Sequence, residues 1–585
     1  MSAALALLRR GASSRLQRTA LAGAGAAGLA WWADESYGHR VGQRTLRALG
    51  TGALLLWEYK VRWTPETSSE VHARVARSVV ACLMGNEGLY VKFGQVLMSM
   101  DMVLPKEYKT ELRVLHDRAA TFSFADVKKV VEADLGRPLN EVFQDFEEEP
   151  IASASVAQVH RARLRASGTV AAGAGTDGVE VAVKVQKPNI PVQNGWDLAV
   201  YRLVLEVLER AFELPLAWTY EYTRRQLEAE LDFRVEAANA ERCARELEAS
   251  PRLRGRVAVP GVFREASGQR VLVMEWVDCI APVNDGAKLK QAGVDPAEAM
   301  RVAVEVFGYQ IFSTGHVHCD PHPGNLLVRR AAEGPQGWQL VLLDHGLYCE
   351  LPEKLRRDYA DFWVATTLGD SSAAIRLCSS WGVADAEASE LLASLTQFRR
   401  VRFGAGRLGA VAGLFGRSRL QAQAHAPSQP RRKMTPEEHA AAQAAFKARA
   451  KKVLGDTRSF PQELLFVGRN MNIVRSANFT LGTVVNRVAV LARCAAEGAA
   501  VTGSAAGGGS FTTREWVSRS AALCKFHFVI QSLLLVDQLA TAWHGLRLQL
   551  LLLGSGLGRA WASARPLLLG TGGRLGADGP AASAA

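Results

Sequence analysis

Residues 316–328 read HVHCDPHPGNLLV, three histidines and an aspartate within seven positions followed by an apolar run. Two chemistries compete for such a cluster. His316, His318, Asp320 and His322 approximate the H-x-H-x-D-H ligands of a dinuclear zinc hydrolase, but Pro321 parts the aspartate from the last histidine, and the supporting His/Asp group is at best Asp344 with His345. The second reading rests on oxygens. Asp320 is followed five positions later by Asn325, and Asp344 stands in VLLDHG, at the end of a β-type run and before a glycine. Mg²⁺ takes hard oxygen ligands and bridges them to phosphates. Asn325 and Asp344 would supply those oxygens, and Asp320 would sit toward a nucleophile as proton acceptor or water orienter. That order and spacing are those of a kinase catalytic loop and its metal-binding aspartate. On this reading the imidazoles frame the loop and the carboxylates and amide carry it.

Phosphoryl transfer needs more than this loop. It needs a strand lysine to fix phosphates, and VEVAVKVQ places Lys184 at the end of an alternating β run. It needs a helical carboxylate to hold that lysine, and LEAELDFRVEAANAE offers Glu230 and Asp232. It needs an interlobe hinge, and VLVMEWVD has that form, with the backbone of Glu275 to Val277 placed to bond adenine. Each piece alone is weak: a lysine in a V-A-V-K run is usually an ordinary strand-end residue, and a Glu-x-Asp on a helix is usually solvated. Their order along the chain, with strands and helices between them, is what carries the reading.

The elements that must position these residues follow from periodicity. Residues 65–140 are helical by their apolar spacing, with Ser123 a candidate cap of one helix. IASASVAQVHRARL and VEVAVKVQKP are short strands joined by the Gly/Ala/Thr stretch RASGTVAAGAGTDG. A helical zone spans about 194–250, RVLVMEWVDC is a strand, and DPAEAMRVAVEVFGYQIFSTG is a helix stopped at Gly315. NLLVRR and GWQLVLLD are strands, and beyond 350 the pattern is helical. Strands followed by helices, with the polar cluster at their junction, predict an α+β, two-lobed arrangement with a ligand cleft between the lobes. The organisation reads as targeting and linker over 1–60, a helical extension over 61–149, an N-lobe over 150–280, a C-lobe over 281–402, a linker over 403–437, C-terminal helices over 438–555 and a disordered tail over 556–585.

Composition bounds the remaining questions. The 585 residues are 48% hydrophobic and 22% charged, enough for one large or two medium cores. A net charge of +12 fits nucleic acid, an anionic membrane or an organellar address, but no Lys/Arg run is interleaved with aromatics, so no nucleic-acid partner is expected. Eight scattered cysteines without a CxxC pair indicate free thiols in a reducing compartment. The start, MSAALALLRRGASSRLQRTALAG, is rich in Arg and Ser and carries no acid before Asp34, which reads as a mitochondrial address. Residues 20–32 are short for a membrane span, and 526–557 are Leu-rich but interrupted by Asp537, His544 and Arg547, which suits a membrane surface or a packed helix.

Across roughly residues 70–370 the chain resembles the UbiB/ADCK (aarF-domain) atypical kinases, and its mitochondrial members in particular. YVKFGQVLMS carries that family's Lys-x-Gly-Gln element at Lys92, Gly94 and Gln95, AELDF its Glu-x-Asp at Glu230 and Asp232, and HCDPHPGNLLV and LLDHG its catalytic and metal loops. IASASVAQVHRA matches the Ala-rich loop that stands in for a glycine-rich one, which implies nucleotide contacts from Ala152, Ser153, Ala154, Ser155, Val156 and Ala157, with Val159 behind them. The resemblance implies a two-lobed protein-kinase-like fold with an N-terminal helical extension laid over the active site, ATP and Mg²⁺ as cofactors, and Lys92 contacting the acidic Glu230/Asp232 pair so as to obstruct a peptide. It further implies ATPase activity and a role in coenzyme Q or lipid metabolism, with membrane lipid or quinone-pathway partners. Two features of the residues agree with an altered kinase. The stretch 152–157 has no glycine to let backbone amides close on phosphates. Seven residues separate Asp344 from Pro352, too few for a peptide-presenting activation segment. Ser153 and Ala157 depart from the family's usual Ala and Gly, which bears on nucleotide preference. A nucleotide-gated scaffold without chemistry is the alternative the same residues allow.

Overall fold

The computed structural model describes residues 31–35, 39–64, 66–99, 105–116, 121–165, 178–212, 217–331, 334–383, 385–399, 401–403 and 461–501. The segments 20–32, 403–437, 526–557 and 556–585 lie outside these residues, apart from Trp31, Trp32 and Phe403 at their edges. Among the described residues no helix is long and apolar enough to cross a membrane.

A helical layer comes first, made of α1 (Val41–Trp57), α2 (Ser68–Asn86) and α3 (Gly88–Ser99). Val71, Val75, Val79 and Leu83 recur every four residues, so one face of α2 is apolar and closes on Tyr90, Tyr108, Leu112 and Val200. Where the sequence pattern indicates linker, α1 is a helix of this layer. Its fixing residue is polar: the guanidinium of Arg44 pairs in the interior with Asp197 of α5 (Ile190–Phe212), its Nε 3.1 Å from Oδ1.

The N-lobe sheet follows. Its antiparallel order is β1 (Phe143–Phe146), β2 (Ala157–Leu164), β3 (Glu180–Gln186) and β5 (Val271–Glu275), with the two-residue strand Ala152–Ser153 added to β2. Alternation does the positioning. Val181, Val183 and Val185 point to one face and are buried against Val127, Val130 and Val131 of α4 (Phe124–Leu135), which leaves Lys184 on the other face. Ser123 caps α4 as its sequence predicts, Oγ accepting the Asp126 N–H at 3.3 Å. The helical zone after β3 resolves into α5, α6 (Ala217–Glu230) and α7 (Phe233–Ala249).

The C-lobe is built on α8 (Pro296–Tyr309), which is largely apolar and is buried from Ala299 to Gly308 apart from Arg301. It begins with a capping Asp295 and Pro296, runs through one wider turn at Gln310–Thr314 and stops at Gly315, φ 75°. A sheet of β4 (Val257–Ala258), β9 (Trp338–Leu342), β8 (Leu326–Arg330) and β6 (Ala281–Pro282) and the two-stranded ribbon of β7 (His316–His318) with β10 (Tyr348–Glu350) carry the loops between them. Then come α9 (Glu353–Leu368), α10 (Ala386–Gln397), α11 (Glu463–Thr480) and α12 (Arg487–Val501). The last two pack back onto the lobe. A Cβ on Gly308 would lie 2.7 Å from Cys494 Sγ, so α8 and α12 approach as only glycine permits.

Candidate active site

Lys184 Nζ lies 2.8 and 2.9 Å from the two carboxylate oxygens of Glu236 and 3.5 Å from Asp344 Oδ1. The partner of the strand lysine is therefore Glu236, not Glu230 or Asp232. The reason is local. Asp232 is the N-cap of α7, accepting the Arg234 N–H at 3.1 Å and gripping the Arg234 guanidinium at 2.6 Å, so its carboxylate is occupied by the helix end. Glu236, one turn into α7, is the acid that faces β3. Burial alone would lower the Lys184 ammonium, but Asp344 and Glu236 outweigh it and raise its pKa. Burial pushes the Glu236 carboxyl up to about 7, with Lys184 opposing. The partial burial of Asp344 would raise it too, yet Lys184, Lys92 and the Gly346 amide hold it well below the usual carboxylate range.

The catalytic loop is fixed by its own backbone. The Asp320 N–H donates to His318 Nδ1 at 3.0 Å, the Asn325 N–H to His322 O at 2.8 Å, and Asn325 Nδ2 to Asp320 O at 3.2 Å. The Leu343 N–H donates to Asn325 O at 2.9 Å, which couples this loop to the residue before Asp344. Asp344 itself takes the left-handed conformation, φ 52°, a region that aspartate tolerates better than most residues. Its side chain is 47% exposed to the cleft, and Oδ1 accepts the Gly346 N–H at 3.2 Å. The hydrogen bond that Asn325 Nδ2 donates to Asp320 O leaves Oδ1 as the oxygen for a cation. A half-exposed anionic carboxylate and an amide oxygen are the donors a hard divalent ion takes, so the residues present fit Mg²⁺.

The histidines do other work. His318 is buried and directs Nδ1 to the Asp320 amide, and His316 stacks on Tyr348 with ring centroids 4.2 Å apart. His345 is buried as well, between Tyr348 OH at 2.8 Å and Leu342 O at 3.1 Å. Among the described residues no group of three or more His, Cys, Asp or Glu is arranged to hold a metal ion.

Two cations reach the site from outside the strands and loops. Lys92 of α3 lies 3.1 Å from Glu230 at the end of α6, so of the Glu-x-Asp pair the lysine meets the first acid. Burial would lower Lys92, but Glu230, Asp320 and Asp344 raise it. Gly94, two residues on in α3, lies against the side-chain ends of Leu115 and Leu83, and a Cβ there would force those leucines to shift. The Gln95 side chain is outside the described residues. The second cation is Arg469 of α11, with Nη2 3.1 Å from Asp320 Oδ1.

The remaining predicted residues divide. Ala152 and Ser153 form the edge strand, and Ala154 closes a turn by donating its N–H to Ala157 O at 2.8 Å. Ser155 is buried in that turn. Val156 and Ala157 are packed with Leu89, Ile190 and Phe233, so their side chains belong to the core and tie the loop to α3. Val159 pairs directly with Lys184 in the ladder and shares its face. At the hinge the Glu275 N–H is already donated to Gly261 O at 2.7 Å, and its carboxylate accepts from Arg329 at 3.0 Å, so that amide is taken by the fold itself; Val277 lies beyond the last paired residue. After Asp344 the chain returns through β10, paired with β7, to α9 at Glu353 without an extended segment.

A two-lobed α+β fold that brings together this lysine, its glutamate partner and the loop of Asp320, Asn325 and Asp344 is kinase-like. Residues 114–378 match the ABC1 atypical kinase-like domain. The chain is 31% identical to the ABC1 family protein C10F6.14c of Schizosaccharomyces pombe over 82% of its own length and 83% of that protein's. It is 36% identical to the ABC1 family protein lscO of Purpureocillium lilacinum, over 78% and 75% of the two chains. AarF domain-containing protein kinase 1 of Xenopus laevis is 36% identical over 59% of this chain and 64% of that one. The chain belongs to the ABC1/AarF family of atypical kinases.

Proposed function

We propose that the cleft binds Mg·ATP and that the chain uses it on water, a small molecule or a lipid in preference to a protein side chain. One observation carries this: Lys184 is held by Glu236 while standing 3.5 Å from Asp344, which is the pairing a phosphate-binding lysine needs beside a metal-binding carboxylate. Lys184 orients phosphate oxygens, Asn325 and Asp344 hold the ion, and Asp320 positions the acceptor; the bound nucleotide supplies the transferable phosphoryl group. Lys92 on Glu230 and the short return from Asp344 to α9 support a non-peptide acceptor, since both leave little room and no platform for an extended chain. Val159 and Val277 are proposed to flank the base. The resemblance and the Arg-rich start support a mitochondrial setting, membrane-associated, in quinone or lipid metabolism.

The test is Asp344→Asn. Expected is loss of ATP turnover by at least about 10²-fold, with an unchanged melting temperature. A comparison of metabolites and lipids between cells carrying the intact chain and this variant would then identify the pathway. Unchanged turnover would count against the roles of Asp344 and its neighbours and in favour of a nucleotide-gated scaffold.

A further inference from the structure

We infer that Asn470 and Gln310 are positioning residues for Asp320: from two helices they take the outward backbone groups of His318, close the open edge of the catalytic strand β7 and so set where the carboxylate stands. The inference rests on the reading of Asp320 as the group that meets the acceptor, and adds to it two residues that no sequence motif indicated.

Ribbon geometry creates the need. β7 pairs with β10 in a two-stranded antiparallel sheet, with His318 opposite Tyr348. The Cys319 N–H donates to Leu347 O at 2.9 Å and the Leu351 N–H to Gly315 O at 2.8 Å. Antiparallel pairing alternates, so Gly315, Val317 and Cys319 turn their backbone groups to the partner strand, and His318 turns its N–H and C=O away from it. His318 is wholly buried, and a buried backbone group without a partner is costly. Side chains stand where a third strand would be. Gln310 Oε1 accepts the His318 N–H at 3.1 Å, and Asn470 Nδ2 donates to His318 O at 2.6 Å. Both amides are themselves buried.

Apolar contacts seat both helices. Leu464, Val467, Met471 and Val474 are buried along α11, and α8 is buried along most of its length up to Gln310. What the two amides fix is the strand, and His318 passes the constraint on, because its Nδ1 accepts the Asp320 N–H at 3.0 Å. Gln310 Nε2 also donates to Cys243 Sγ at 3.5 Å, so α7, the helix of Glu236, is tied to the same strand. An acceptor must come within about 3 Å of the Asp320 carboxylate, and a misplacement of about 1 Å costs on the order of 100-fold in rate. The nucleotide side of the cleft is anchored elsewhere: Lys184 by Glu236, and Asn325 O by the Leu343 N–H at 2.9 Å. Loosening β7 therefore moves Asp320 against a nucleotide that stays bound.

The experiment combines steady-state ATP turnover with hydrogen–deuterium exchange on the full chain, for wild type, Asn470→Leu, Gln310→Met and, as control, Val467→Ala, which thins the apolar stripe of α11. Expected for Asn470→Leu and Gln310→Met is a fall in kcat of about tenfold or more with KM for ATP changed less than about twofold. Exchange over residues 316–320 should accelerate at least about tenfold relative to α9 in both. Val467→Ala should lower the melting temperature and leave kcat and that exchange ratio at their wild-type values. A purely structural role would make kcat follow the melting temperature in all three variants. That result, an unchanged exchange ratio in both amide variants, or a changed ratio with kcat unaltered, would overturn the inference. Each amide variant answers alone if the other does not fold. If wild type turns over no ATP, the Mg·ATP reading falls, and the exchange ratio still decides whether the two amides hold the strand.

Discussion

Lys184 and Glu236 meet at 2.8 Å because the cap of α7 sits at Asp232, which sets the first inward-facing acid of that helix opposite the cleft face of β3. The pair keeps the ammonium from collapsing fully onto Asp344, only 3.5 Å away. Glu236→Gln removes the counter-charge and leaves Lys184 to compete with a divalent ion for Asp344. The expected outcome is a higher Mg²⁺ requirement and a fall in kcat/KM for ATP of about 10- to 100-fold, equivalent to about 1.4–3 kcal/mol. Folding should hold, since Lys184 retains a carboxylate. Steady-state kinetics across a Mg²⁺ series decide it, and an unaltered Mg²⁺ optimum would contradict the role of the pair.

Lys92 and Glu230 form a different kind of pair, bridging the helical extension to the end of α6 at 3.1 Å with both side chains largely buried. Removing one partner strands the other in a low-dielectric site, which typically costs about 3–5 kcal/mol, whereas removing both costs much less. Lys92→Ala should therefore lower stability strongly in a urea titration, and Lys92→Ala with Glu230→Ala should recover most of the loss. A double variant no more stable than the single one would mean that Lys92 is held chiefly by Asp320 and Asp344.

What the sequence made legible was whatever chemistry packs into adjacent positions. Lys184 announced itself by the alternation of Val181, Val183 and Val185, and Asp320, Asn325 and Asp344 by fixed spacing. Glu236 did not, because Glu230 and Asp232 were equally plausible acids until the cap showed which of them the helix end consumes. Arg469 could not be found by spacing at all: 149 residues separate it from Asp320, and its place depends on how α11 folds back. The error over 41–57 has the same origin. Three glycines and a buried arginine hide an amphipathic helix whose anchor, Asp197, lies far along the chain.

His345 gives the protein a predictable response to acid. Its ring N–H donates to Leu342 O and its other nitrogen accepts the Tyr348 hydroxyl, so the neutral form is fully bonded. Burial, with the positive charge that His318 and Lys184 bring, outweighs the Leu342 carbonyl and Asp344 and pushes its pKa down to about 3. The unfolded chain binds that proton near pH 6.5 and the folded chain does not, so stability from this group is complete above pH 6.5 and is lost as pH falls toward 3. At pH 5 the loss amounts to about 2 kcal/mol. His345→Asn should flatten the decline of unfolding free energy between pH 7 and pH 5 by about that much, and an identical slope in the variant would place the titration elsewhere.

Arg44 and Asp197 put the helical extension to a stability test independent of the active site. Both side chains are at most 5% exposed, and the guanidinium also reaches the Asn86 carbonyl, so α1, α2 and α5 converge on one buried charge. Burial pushes the Asp197 carboxyl up, with Arg44 opposing, which marks the pair as one held by its partner and not by solvent. Arg44→Met alone should destabilise by about 3–5 kcal/mol, because Asp197 then stands buried without a counter-ion. Arg44→Met with Asp197→Leu replaces the pair by apolar groups of similar volume and should lie within about 1–2 kcal/mol of wild type. Chemical denaturation of the three chains checks this. If the single variant proves as stable as the double, α1 is not pinned by this pair, and the extension holds its place through the apolar contacts of α2 alone.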